Sequence, residues 1–361
     1  ADRSGCGGGE HPARRLRRLM MSHVLLRPVI AVSLLTALTG CWFSERVEEF
    51  GGPTMGSTYT VKYVRSKDSP SVESLKRETD AILAGVDVQM STYRDDSAIE
   101  QFNQAPAGTC QTMPDGVLEL VDAGRLLHEQ SQGALDLTLE PLLNLWGFGP
   151  KARAEKVPTA EQLVAARARV GMQHLRRDGQ QLCKEVDVQV DFNSVAAGYA
   201  VDKLVQRFTE LGVTSYMVEV TGELKAAGKK PDGQPWRIGL EAPQDGQRVA
   251  QRVLAVDGYG ISTSGDYRNY FEEEGQRYSH TLDPLTGAPI THKLAAVTVV
   301  DKSTLRADGL STVLMVMGTE RGLAFAERMG IAAFFVTRDG DAFVTQTTQA
   351  FEQLFAAGDE Q

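Results

Sequence analysis

The feature that most constrains this chain is its N-terminus, because it decides which residues are left to build a core. Arg14, Arg15, Arg17 and Arg18 precede Met20-Met21, and an apolar stretch from Val29 to Leu38 then closes on Thr39-Gly40-Cys41. A basic segment, a short apolar run and a small residue, in that order, read as an export signal. The run is shorter than the ~20 residues that span a bilayer as a stable helix. The arginines in front and the Gly-Cys behind disfavour a buried core helix. Residues 1–20 sit oddly before a signal, and translation starting at Met20 or Met21 accounts for them most simply. Residues 1–40 are therefore read as leader and signal peptide, 41–50 as a tether, and 51–355 as the folded domain.

The 361 residues leave room for one large domain or two ordinary ones. With 42% hydrophobic and 24% charged residues, 35 Gly and 14 Pro, the composition is globular and excludes a collagen-like, coiled-coil or largely disordered chain. The net charge is −9, and removing residues 1–40 takes away six basic and two acidic residues, leaving the remainder near −13. Such a chain does not attract nucleic-acid backbones, so nucleic acid is not an expected partner.

Leu38-Thr39-Gly40-Cys41 resembles a bacterial lipobox. That resemblance implies that Cys41 becomes the lipidated first residue of the mature protein, tethered on the far side of the inner membrane. Cys6 falls in the leader, and Cys110 and Cys183 remain, with no metal-ligand spacing. An oxidising compartment would permit them to pair, but spacing alone leaves the pairing open.

Alternation in Tyr59–Val64 predicts a strand, followed by a polar turn at Ser66–Ser71 and an amphipathic helix over Val72–Met90. Further helices are expected over Asp115–Ser131 and Thr159–Arg169. Val186–Asp191 alternates as a strand and runs into helical spacing over Phe192–Phe208, with Asn193-Ser194 as the cap. Strands are expected at Ser215–Val220, Trp236–Leu240, Arg252–Val256, Gly260–Thr263, Ala295–Val300 and Ala332–Thr337, with a helix near Ala307–Met317. The mixture is α+β. No repeat or flexible linker divides it, so one compact catalytic domain is expected.

The common nucleotide, zinc-protease and α/β-hydrolase signatures are missing from the sequence. What remains is less generic. His280-Thr281-Leu282-Asp283-Pro284-Leu285-Thr286-Gly287 places an imidazole, a carboxylate and a hydroxyl in one loop. That loop could hold phosphate, a metal or a nucleophile, and taken alone it is more simply a structural turn with a surface histidine. Asp308 and Thr312 stand four apart, on one helical face, and carboxylate plus hydroxyl oxygens suit a hard cation such as Mg²⁺. Taken alone, Asp308 is more simply a charge favoured by a helix N-terminus. Ser262–Tyr267 offers backbone N–H groups to phosphate or flavin, or is only a loop.

Together these segments carry a resemblance. Thr54–Ser57, Ser91–Tyr93, Gly133–Thr138, Leu145–Gly149, Ser194–Asp202, Ser262–Tyr267, His280–Gly287 and Ala307–Thr312 follow the order and spacing of the ApbE family of FAD:protein FMN transferases, across about residues 50–318. The resemblance implies a compact α+β catalytic domain of mixed sheets and helices, related to the T-fold. It implies FAD as substrate and Mg²⁺ as cofactor. A Ser or Thr hydroxyl of a target flavoprotein would take FMN through a phosphoester while AMP leaves. By matching positions, Asp308, Thr312 and the carbonyl of Ala196 would hold the metal, and Met55, Tyr93, Ala134, Leu135, Asp136 and Ser264 would contact FAD. His280 and Asp283 would be catalytic, with His280 preferred as base. Family members are commonly bacterial lipoproteins, which agrees with Cys41 and implies a lipid-anchored protein on the periplasmic face of the envelope, at the inner membrane. Its acceptor would be an exported or membrane-bound electron-transfer subunit.

Two departures from the family pattern stand out. Ala197 occupies the position of a common lysine, and Thr221-Gly222-Glu223 replaces Gly-Gly-Glu/Asp. The alternatives are an Mg²⁺-dependent FAD pyrophosphatase, releasing FMN and AMP, and a non-catalytic FAD-binding lipoprotein. A purely structural envelope lipoprotein would bind no flavin at all.

Overall fold

The computed structural model describes residues 44–151, 157–241, 250–266, 270–273, 275–340 and 342–355. The leader, the export signal and Cys41 lie outside these residues, as does Tyr267 of the Ser262–Tyr267 segment.

Eight strands form one antiparallel sheet: β1 (Arg46–Thr54), β2 (Ser57–Arg65), β3 (Tyr216–Val220), β4 (Glu223–Ala227), β5 (Tyr259–Gly265), β6 (Leu294–Asp301), β7 (Ala332–Asp339) and β8 (Ala342–Thr347). Their order across the sheet is their order in the chain, so the sheet is a meander with long insertions. The alternation read in β2 is what buries Tyr59, Val61 and Tyr63 on one face. β6 is buried from Leu294 to Val300 without alternation, as befits a strand covered on both faces.

Residues 66–215, between β2 and β3, carry six helices: α1 (Val72–Met90), α2 (Ala98–Gln104), α3 (Asp115–Gln130), α4 (Glu140–Trp146), α5 (Ala160–Arg167) and α6 (Ala196–Glu210). α7 (Thr304–Met329) joins β6 to β7, and α8 (Gln349–Phe355) follows β8. α6 packs on β3 and β4, α7 packs on β5 and β6, and the two helices touch. The opposite face of the sheet is covered by the hairpin of Trp236–Glu241 and Ala250–Val256 and by α8, whose Phe351 and Phe355 join the core there. This is the mixed α+β domain that the sequence led us to expect.

Helix caps follow sequence signals. Ser71 caps α1, Thr159 caps α5 with Gln162 as its reciprocal partner, and Ser303 caps α7. α7 runs well beyond the expected Ala307–Met317, to a left-handed Gly330, with a non-helical Gly318 inside it. β1 was not anticipated, and it opens at Arg46, inside the segment read as a tether.

Two local expectations are corrected. Val186–Asp191 is not a strand: its one pairing is an isolated parallel bridge between Gln189 and Leu139. Val188 and Val190 still face the core, so the alternation reports burial and not a ladder. The helix expected from Phe192 begins at Ala196, and its cap is Val195, without a side-chain bond. Asn193 is occupied instead by Asp191, whose carboxylate accepts its N–H at 2.6 Å and its Nδ2 at 3.0 Å. Cys110 and Cys183 face each other on the antiparallel strands Cys110–Thr112 and Gln181–Lys184 and form a disulfide.

Candidate functional site

The turns joining β1 to β2 and β3 to β4 lie at the same end of the meander, and β5 finishes there as well. A cavity of about 830 Å³ opens beside the second of these turns and the end of β5, within the range of ligand-sized sites. Its wall is completed by the first turn of α6, by the face of α7 bearing Asp308, Thr312 and Met315, by the segment around Asp136, and by His280–Leu282.

The floor is built where α6 and α7 meet. At Gly198, in the first turn of α6, a Cβ would stand 2.4 Å from the Thr304 carbonyl oxygen and 2.8 Å from Asp308 Cβ, so only glycine allows this approach. The Gly198 N–H donates to Asp308 Oδ2 at 2.9 Å. The positive end of the α6 dipole thus faces a buried carboxylate. Ser311, one helical step on, donates to the Asp308 carbonyl at 2.9 Å and lies 2.8 Å from Ser264 Oγ and 3.1 Å from Ser262 Oγ. Glu223 accepts from Thr221 at 3.2 Å and from Ser262 at 3.4 Å.

The electrostatics are one-sided. Asp136, Asp191, Glu223 and Asp308 all line the cavity, and no Lys or Arg does among the described residues. Burial pushes Glu223 up to about 7 and Asp191 up to about 6. Burial, with the charge of Glu223 beside it, holds Asp308 well above the usual carboxylate range. Behind this wall Glu140 is pushed up to about 7, by burial first and then by Asp191 and Glu100. Where these carboxyls ionise they repel a polyanionic ligand, and an accompanying cation offsets that repulsion. The Asp308 carboxylate and the Thr312 hydroxyl are oxygen donors of the kind Mg²⁺ uses while keeping waters and substrate phosphates. Among the described residues no three His, Cys, Asp or Glu side chains group as a metal cage.

Of the residues singled out from sequence, Tyr93, Ala134, Leu135, Asp136, Ser264, His280, Asp308 and Thr312 come together around this cavity. Tyr93 stands at its mouth, 68% exposed. Asp136 is held by the Thr138 N–H at 2.8 Å and the Thr138 hydroxyl at 2.5 Å. The His280 ring meets Phe148 edge-on, with centroids 6.4 Å apart. Three of the residues stand elsewhere. Met55 occupies the β1–β2 turn at φ 46° and packs against the core. Ala196 is buried at the start of α6, two residues before Gly198. Asp283 turns into its own hairpin, where its carboxylate accepts the Leu285 N–H at 2.9 Å.

Asp191, Asn193 and Phe148 line the cavity without having been singled out, and Glu223 had been noted only as a departure. Asp191 took only the last polar place in the alternation of Val186–Asp191, which marks it no more than Asp187 or Gln189. Thr221, where the family pattern has glycine, adopts φ 55°, the left-handed region that glycine enters freely. Ala197 lines the cavity as a small apolar residue where a lysine would bring charge.

This fold is shared with known proteins. The ApbE family matches residues 55–335, and the chain belongs to that family. It is similar to the FAD:protein FMN transferase of Vibrio cholerae, 42% identical over 91% of this chain and 98% of that protein. The FAD:protein FMN transferase of Haemophilus influenzae is 40% identical over the same shares. Among solved structures, the apo flavinyl transferase ApbE of Pseudomonas stutzeri is 65% identical, with a TM-score of 0.83 over 88% of this chain and 99% of its own. The flavin transferase ApbE of Vibrio cholerae is 41% identical, with a TM-score of 0.80 over 86% and 99%.

Proposed function

We propose that this protein transfers FMN from FAD to a Ser or Thr hydroxyl of a target flavoprotein, with Mg²⁺ as cofactor and AMP as leaving group. The observation that carries the reading is the acidic cavity itself: a ligand-sized site with four carboxylates and no Lys or Arg among its described lining residues suits a diphosphate when a divalent cation accompanies it. The similarity to transferases named for this reaction agrees with it.

In this reading the acceptor hydroxyl oxygen forms a bond to the FMN phosphorus, and the bond from that phosphorus to the bridging oxygen breaks. AMP departs with that oxygen, and the hydroxyl proton passes to His280 at the cavity wall. Mg²⁺ would neutralise diphosphate charge as the displacement proceeds. Asp308 and Thr312 would hold it, with the Ala196 carbonyl as a further ligand at the start of α6. Tyr93, Ala134, Leu135, Asp136 and Ser264 would contact FAD. Met55 and Asp283 would shape the neighbouring turns, since their side chains are engaged outside the cavity. Phe148 packs edge-on against the His280 ring at the cavity wall.

The protein would act on the periplasmic face of the envelope, anchored through a lipid on Cys41, on an exported or membrane-bound electron-transfer subunit. Leu38–Cys41 supports the anchor, and the Cys110–Cys183 disulfide is of a kind that persists in oxidising compartments. Incubating the protein with FAD, Mg²⁺ and an acceptor fragment tests the transfer. FMN mass on the acceptor and free AMP are expected, whereas free FMN and AMP without labelling would make it a pyrophosphatase. Cys41→Ser should remove the acyl mass, and an unchanged lipid signal would reject the anchor.

A further inference from the structure

Residues 186–191 alternate like a strand, yet apart from the Gln189–Leu139 bridge no strand among the described residues pairs with them. The Asp191 N–H donates to the Leu137 carbonyl at 2.8 Å, and side chains from other elements hold the residues before it. Asn103, at the end of α2 and 1% exposed, accepts the Val190 N–H on Oδ1 at 2.7 Å and donates Nδ2 to the Val190 carbonyl at 2.9 Å. One planar amide thus satisfies both main-chain groups of Val190, as a neighbouring strand would. Its Nδ2 also lies 3.1 Å from Glu140 Oε2. Lys184, buried beside the disulfide, donates to the Asn103 carbonyl at 3.0 Å and to the Val188 carbonyl at 3.3 Å.

The next residues form the cavity wall. Asp191, Asn193 and Ser194 line it, and α6 then delivers Gly198 to Asp308. We infer that Asn103 is a positioning residue for the ligand site: by gripping Val190 it sets where Asp191, Asn193 and Ser194 stand, although it does not line the cavity itself. The inference rests on the reading that this cavity receives FAD. The carboxamide presents a donor and an acceptor in one rigid plane, and a leucine of similar size presents neither. An ionised carboxylate keeps the acceptor but lacks the donor, whereas a protonated carboxyl has both.

The test combines FAD binding, followed by flavin fluorescence, with amide exchange. In Asn103→Leu, residues 188–194 should exchange faster and FAD should bind about tenfold more weakly or worse. Asn103→Asp should bind weakly near about pH 8 and approach wild-type affinity, compared at the same pH, near about pH 5.5. Burial, with Glu100 3.5 Å from Asn103 Nδ2, favours protonation of that aspartate, and Glu140 at 3.1 Å adds its charge only above about pH 7, whereas Lys184 on the residue's own carbonyl and Lys151 on Glu100 oppose it. Phe351→Leu, in the core on the far face of the sheet, should lower the melting temperature without weakening FAD binding. FAD affinity within about twofold of wild type in Asn103→Leu, or in Asn103→Asp at the higher pH, would overturn the inference. So would weakening no greater than Phe351→Leu produces at equal loss of stability. If Asn103→Leu does not fold, the pH behaviour of Asn103→Asp decides. Should the wild-type protein bind no FAD, the flavin reading fails, and unchanged exchange at Val190 in these variants would still overturn the positioning role.

Discussion

The Gly198 N–H meets the Asp308 carboxylate at 2.9 Å, and the same glycine leaves no room for a side chain between α6 and α7. Two helices remote in sequence therefore bring a helix N-terminus and a buried acid to one point. Gly198→Ala would set a methyl 2.4 Å from the Thr304 carbonyl oxygen, which is backbone and cannot swing aside. Overpacking of this kind costs about 1–3 kcal/mol. Lower unfolding free energy in urea, together with weakened FAD binding, is the expected result. A variant as stable as wild type would mean that the helices can separate freely.

Asp308 illustrates a conflict between stability and function. Its carboxylate is buried and repelled by Glu223, so it is destabilising as an anion. Asp308→Asn should raise the melting temperature at neutral pH while abolishing Mg²⁺-dependent turnover of FAD, and Asp308→Ala should abolish turnover in a folded chain. Full activity with unchanged Mg²⁺ dependence in either variant would remove Asp308 from the ligand set.

The sequence disclosed most elements whose burial follows a simple period. α1 was read over its full length, and β2, β3, β5, β6 and β7 were found where alternation or an apolar run marked them, whereas β4 and β8 were not expected. It misled at Val186–Asp191, because the same alternation arises when side chains of Asn103, from α2, and of Lys184, at the end of the preceding strand, take the place of a ladder. It missed β1, whose Gly51-Gly52-Pro53 carries no strand pattern and which is held by pairing with β2. Eight of the residues that matched the family pattern converge on the cavity. Asp191 escaped notice because its place depends on long-range contacts that no local motif encodes, and Glu223 drew attention only as part of a departure from that pattern.

The raised carboxylates give the fold a signed pH dependence. Glu140 is fully buried, and its folded value of about 7 lies above its ordinary 4.5. The folded state therefore binds more protons than the unfolded state between these values. The associated stability is complete at low pH and is lost as pH rises through about 7, at about 3 kcal/mol for such a shift. Asp191, at about 6, acts in the same sense over a lower window. Urea unfolding should show stability falling between about pH 5 and about pH 8, and Glu140→Gln should flatten that slope. A slope unchanged by the substitution would place the titrating group elsewhere.

His280 is assigned the proton from the acceptor hydroxyl. His280→Ala should lower kcat by roughly 10²–10⁴-fold, the usual contribution of a general base. FAD affinity should change little, because the carboxylates and the Asp308–Thr312 face are untouched. Loss of binding equal to the loss of rate would instead make His280 a ligand contact.

The disulfide closes a long loop. Cys110 and Cys183 are separated by 73 residues, a span that includes α3, α4, α5 and the segment around Asp136. In the chain-entropy account, a cross-link of this length stabilises by about 4 kcal/mol, because it restricts the unfolded chain. The paired Cys110→Ser, Cys183→Ser variant, or the reduced wild type, should unfold at correspondingly lower urea concentration. Lys184 follows Cys183 directly and supports Asn103, so the loosening should reach residues 188–194 before the meander, read as faster amide exchange there. Uniform loosening across the whole domain would show that the disulfide stabilises the fold without special connection to the cavity wall.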